Sequence, residues 1–142
     1  MLELQSLKTS HDLLLAEAAF SDGENSQWAT FIKGLPDYNQ YHADLVLYIR
    51  NHFGDRITVY RAMGRREYEA IFILDAARPL LATMDEDTAK KEAVRRNVLC
   101  FQMQLDPSAI IMRGRPAKNE VVIDSCLVLK SKISVVVTDN LQ

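Results

Sequence analysis

Apolar side chains recur at helical spacing in the first third of the chain and at alternate positions in much of the last third. Leu13, Leu14 and Ala18 share one face of a helix predicted over residues 11–20, with Ser10 placed to cap it. A turn over residues 21–25 leads into a short helix, residues 26–33, whose apolar face is Trp28, Phe31 and Ile32. Gly34 and Pro36 end that helix. Tyr41, Leu45, Tyr48 and Ile49 then mark a third helix over residues 38–52, and Gly54 is placed to stop it.

The pattern changes at Ile57-Thr58-Val59-Tyr60-Arg61-Ala62-Met63, where β-branched and aromatic residues predict a strand. Its period of two puts Ile57, Val59 and Arg61 on one face. A helix over residues 65–74 follows, with Tyr68, Ile71 and Phe72 inward. Residues 76–83 are ambiguous, and Leu80-Leu81-Ala82 reads as a short strand. Asp85, Glu86 and Asp87 open another helix; Lys90, Lys91, Arg95 and Arg96 close it, a polarity that suits the helix dipole. Leu99, Phe101, Met103 and Leu105 alternate along the next strand. Further strands are predicted over residues 110–112, 120–124, 126–129 and 133–137, with a basic loop over residues 113–119. The predicted fold class is α+β: N-terminal helices followed by a mainly antiparallel sheet. The chain of 142 residues fits one domain, 1–142, with a helical part over 1–54 and a sheet-rich part over 55–142.

A net charge of −2 gives no general attraction to nucleic acid or to a membrane surface. The chain has no apolar run long enough to span a bilayer and no basic start of a signal peptide, so the expected location is the cytoplasm. Cys100 and Cys126 sit in apolar runs and read as reduced core thiols. His11, His42 and His52 lack ligand partners at helical spacing, so no metal site is expected.

Two charged residues stand in strands on faces otherwise apolar. Arg61 is in line with Ile57 and Val59, and a guanidinium cannot shed its charge on burial. It requires a carboxylate, carbonyl oxygens or a bound anion. Glu120 opens its strand on the same side as Val122. A mutual ion pair would satisfy both, and a solvent-facing strand end would satisfy Glu120 alone. The functional alternative is a cleft floored by the sheet, with a cationic anchor on one side and a carboxylate on the other.

Val59-Tyr60-Arg61-Ala62 after a helix resembles the first motif of the ADP-ribosyltransferase fold of the arginine–serine–glutamate type. Asn119-Glu120-Val121-Val122-Ile123 resembles its last motif, a loop leading to a strand that opens with the catalytic glutamate. Between them, Ala82-Thr83-Met84-Asp85, a helix and the strand at Val98 to Leu105 resemble the middle segment. The likeness covers about residues 38–137. It departs from the pattern in two places: Thr83 stands alone where two serines and a threonine are expected, and Lys118 occupies the position two before Glu120.

The resemblance implies an ADP-ribosyltransferase-like fold with NAD, as substrate, across the sheet cleft. Glu120 would be the catalytic carboxylate, stabilising an oxocarbenium-like state as carboxylates do in glycoside hydrolysis. Arg61, Tyr60, Thr83 and Phe101 would bind the dinucleotide, with Phe101 or Tyr68 stacking on nicotinamide. Arg113, Arg115 and Lys118 would contact a protein acceptor. Three functions compete: an NAD-dependent mono-ADP-ribosyltransferase of toxin, effector or phage type; a binding or inhibitor protein that kept the fold and lost catalysis; and a small nucleic-acid-binding or nuclease domain built on the basic loop.

Overall fold

The computed structural model describes residues 38–73, 79–114, 119–128 and 132–137. The helices predicted over residues 11–20 and 26–33 lie outside them. The first described element is helix α1 (Tyr38–Phe53), which buries Tyr38, Tyr41, Leu45 and Ile49 at the spacing that places them on one face. Gly54 ends it in the left-handed region, φ 90°, and donates its N–H to the Arg50 carbonyl at 2.9 Å.

Six strands form one antiparallel sheet: β1 (Ile57–Met63), β2 (Pro79–Thr83), β3 (Leu99–Leu105), β4 (Ile110–Arg113), β5 (Glu120–Asp124) and β6 (Ile133–Val136). Their order across the sheet is β4-β5-β2-β1-β3-β6. Between β1 and β2 the chain forms a short helix, α2 (Arg65–Tyr68), which widens into a π-helical turn over Glu69–Ile73. Helix α3 (Glu86–Arg96) joins β2 to β3. Both strands run antiparallel to β1, hence parallel to each other, so α3 is the crossover that this arrangement demands.

The three described helices do not all precede the sheet. Only α1 does; α2 and α3 sit between strands, so the described fold is not simply N-terminal helices followed by a sheet. Two boundaries also differ. Residues 126 and 127, expected to begin a strand, lie instead in a 3₁₀ turn, Ser125–Leu127. Arg113, expected in the basic loop, is the last residue of β4.

The sheet has two covered faces. On the first, Ile57, Val59, Met63, Phe101, Met103 and Leu105 pack with Leu45, Ile49 and Phe72 from the helical elements. On the second, Ala62, Cys100, Ala89 and Ala93 make a thinner cluster beneath α3. Small side chains there let the helix lie close to the strands, and burial pushes the Cys100 thiol up from its ordinary pKa. The β4 edge is covered by α1: the Tyr38 hydroxyl donates to the Ile111 carbonyl at 2.8 Å, and the Tyr41 hydroxyl accepts the Arg113 N–H at 3.0 Å. An edge strand tied in this way is a poor template for pairing with another chain. Among the described residues no helix is long and apolar enough to cross a membrane.

Helix α3 starts where its sequence predicts. Asp85 caps it, accepting the Asp87 N–H at 3.2 Å and the Thr88 hydroxyl at 2.6 Å. Asn97 ends it with φ 56°. Asp85→Ala is expected to cost about 1 kcal/mol of stability, the usual size of a lost N-cap, while Asp85→Asn retains most of it. Urea denaturation of the two variants measures the difference.

Candidate functional site

The middle of the sheet carries the predicted site residues, and the strand order separates them into two groups. β1 and β5 are not neighbours; β2 lies between them. Directly paired residues in a ladder project to the same side. Tyr60 pairs with Thr83 and Thr83 pairs with Glu120, so these three stand in one row across three strands. Arg61, next along β1, projects to the other side, paired with Phe101 of β3. Arg61 and Glu120 therefore stand on opposite faces of the sheet with β2 between their strands, which rules out the mutual ion pair.

Arg61 is held closely. One terminal nitrogen donates to the Leu81 carbonyl at 2.6 Å and the other forms an ion pair with Glu67. The two side chains are 12% and 22% exposed, so the pair is largely screened from water. Glu67, not Glu120, supplies the carboxylate that the sequence demanded. Its position follows from the local chain path: Gly64 precedes α2, and the helix brings a carboxylate six residues on back over the strand. Leu81 also has a local explanation. Among the described residues the ladder between β1 and β2 is a single pair, Tyr60 with Thr83. Leu81 lies beyond its reach on the β1 side, and the guanidinium serves its carbonyl instead. Beside Arg61, Tyr68 stacks on Phe101 with centroids 4.8 Å apart and rings nearly parallel, 3°. A groove of about 280 Å³ adjoins this stack, lined by Arg65, Glu69, Leu99 and Ser134 among others.

The second group is built by main-chain contacts. The Thr83 hydroxyl accepts the Asp85 N–H at 3.0 Å and donates to the Asn119 carbonyl at 3.5 Å, so it ties the start of α3 to the turn before β5. Asn119 adopts the left-handed conformation, φ 52°, which asparagine tolerates better than most residues. Glu120 is 7% exposed and lies against Gly114, the residue that follows β4, whose N–H donates to the Glu120 carbonyl at 2.7 Å. A Cβ at Gly114 would stand 2.9 Å from Glu120 Cβ and 3.0 Å from its Oε1. The Tyr60 phenol is pushed up from its ordinary pKa by burial and then by the nearby Glu86 carboxylate. A second cleft, about 360 Å³, opens beside Tyr60, Met84 and Asn119.

Arg113 is buried at the end of β4, opposite Val121. Arg115 and Lys118 lie outside the described residues. Among the described residues no cluster of three or more histidine, cysteine, aspartate or glutamate side chains is arranged to hold a metal ion. The residues that sequence reasoning did not single out are Glu67 and Gly114. Glu67 was open to discovery as the first carboxylate after Arg61 on a helix that turns back over it. Gly114 gave no signal, since its partner becomes evident only from the pairing of β4 with β5. Comparison with protein-family models, with curated proteins and with solved structures finds no match to this chain.

Proposed function

We propose that this chain is an ADP-ribosyltransferase-like α+β protein that acts by binding a partner protein and does not transfer ADP-ribose. The observation that carries this reading is the separation of Arg61 from Glu120. Transfer from NAD needs a cation on the pyrophosphate and a carboxylate at the adjoining ribose, both reached by one ligand on one surface. Arg61 is instead committed to Glu67 and Leu81, on the opposite side of β1 from the Tyr60, Thr83 and Glu120 row. Thr83 is likewise engaged by the main chain around it. Residues that would do chemistry in a transferase are used here to hold the sheet together.

A second reading, transfer from NAD to a protein acceptor in the cytoplasm, is favoured by one feature. The sheet brings the Tyr60-Arg61 strand, the Thr83 strand end and the Glu120 strand side by side, and its ladder narrows to one pair between β1 and β2. In that reading Glu120 is the catalytic group, and Arg61, Tyr60, Thr83 and Phe101 hold NAD.

Titration with NAD, assay of nicotinamide release and labelling of a cell lysate with labelled NAD decide between them. The binding reading expects no thermal stabilisation by NAD, no nicotinamide and no label. Label that falls by about 100-fold in Glu120→Gln, the scale of a lost electrostatic catalytic group, would establish the transferase instead.

A further inference from the structure

Arg65, Glu69 and Ile73 stand four residues apart along α2 and its π-helical turn, and all three line the groove of about 280 Å³. Leu99 of β3 and Ile133 and Val135 of β6 supply its other side. Ile73 and Val135 are 52% and 53% exposed, and Leu99 and Ile133 are half-buried. Apolar side chains grouped in this way on an open face mark a surface that another molecule covers. Two charges stand among them. Arg65 and Glu69 are both exposed, and among the described residues neither forms an ion pair, with the other or with a third group. Nothing in α2 itself favours them: arginine before glutamate is the weaker order for a pair on one helix, and a cation at a helix start opposes the helix dipole. Glu67, between them, is the contrast, since it is committed to Arg61.

An apolar patch that carries one cation and one anion is complementary to itself. In a two-fold dimer every contact occurs twice with the roles exchanged, so unlike charges on one element pair across the axis. From this combination we infer that the groove between α2 and β6 is the interface of a homodimer, with a second copy of this chain as its occupant. The two α2 helices lie antiparallel about an axis that passes between Arg65 and Glu69. Each Arg65 guanidinium meets the partner's Glu69 carboxylate, and Ile73 and Val135 of both copies leave water. Charge decides against other occupants. A polyanion is repelled by Glu69, a basic segment by Arg65, and an uncharged apolar ligand leaves both without a partner. The interface is on the Arg61 side of the sheet, away from the Tyr60, Thr83 and Glu120 row, and does not depend on the function given to that row.

The test is sedimentation equilibrium of the full chain from about 1 μM to about 1 mM, the range in which small interfaces assemble. The wild-type protein is expected to pass from monomer to dimer across it. Arg65→Glu and Glu69→Arg each replace an exposed side chain, so the melting temperature at the dilute end should hold. Each variant alone sets two like-charge pairs in the interface and is expected to weaken the dimer by about tenfold or more. Mixed in equal amounts, the two are expected to regain association, because a heterodimer restores both opposite-charge pairs. Val135→Asp, which buries a carboxylate against apolar neighbours, should weaken the dimer by a similar factor. A wild-type chain that stays monomeric throughout the range overturns the inference. So does a dimer that both charge reversals leave intact, or a mixture that associates no better than its components.

Discussion

Arg61→Ala is expected to lower the folding stability by about 3 kcal/mol, the scale found when one partner of a buried ion pair is removed. Two losses combine. Glu67 keeps its charge in a position only 22% exposed, and the Leu81 carbonyl loses the donor 2.6 Å away. Arg61→Lys should recover only part of the loss, because a single ammonium cannot reach both acceptors in the directions set by the guanidinium. The coupling is measurable. Glu67→Gln alone should be destabilising, and the double variant should be less destabilised than the sum of the two. Guanidinium denaturation of the four proteins gives the cycle. An Arg61→Ala protein of unchanged stability would mean that the arginine does not hold the fold, and would return it to the role of a ligand anchor.

Gly114→Ala should cost about 2 kcal/mol, within the range for overpacking a filled site. The added methyl meets Glu120 Cβ at 2.9 Å, and a Cβ is fixed by its own backbone. It cannot swing aside as the end of a flexible chain would. Gly54 provides the comparison. Its backbone is left-handed, yet nothing lies within 4 Å of an added Cβ. Gly54→Ala therefore carries only a conformational penalty of about 1 kcal/mol. Glu120→Ala should make Gly114→Ala less harmful, whereas it should leave the Gly54→Ala penalty unchanged. Melting temperatures of the five variants separate a steric cause from a backbone one. The same set reports on function, since a Gly114→Ala protein has a displaced carboxylate and an intact Arg61.

The sequence makes α1 legible because Tyr41, Leu45 and Ile49 repeat at helical spacing on a helix with one wet side. β1 and β3 are legible through alternation, and α3 through its cap and charge polarity. β2 is harder to read: Leu80, Leu81 and Ala82 lie in a central strand, where both sides are covered and alternation vanishes. The placement of β2 between β1 and β5 is a non-local fact that no window of sequence contains. That one fact separates the candidate residues. Reading the motifs in order brings Arg61 and Glu120 to mind as a pair, but the alternation of side chains across Tyr60 and Thr83 turns them apart. Glu67 escaped for a related reason. Arg61 stands on a strand and Glu67 on the helix that follows, so neither period relates them, and the turn at Gly64 brings them into contact.

The single pair that joins β1 to β2 has a mechanical consequence. The sheet is two three-stranded plates, β4-β5-β2 and β1-β3-β6, each sewn by ladders of several pairs. Among the described residues the strand-to-strand bonds seen between them are one ladder pair, Tyr60 with Thr83, and the Arg61 guanidinium on the Leu81 carbonyl. Among the described strands this seam has the fewest ladder pairs, so a load that draws the plates apart meets the least main-chain bonding there, with the shared core left to resist it. Tearing would begin there, while each plate remained whole.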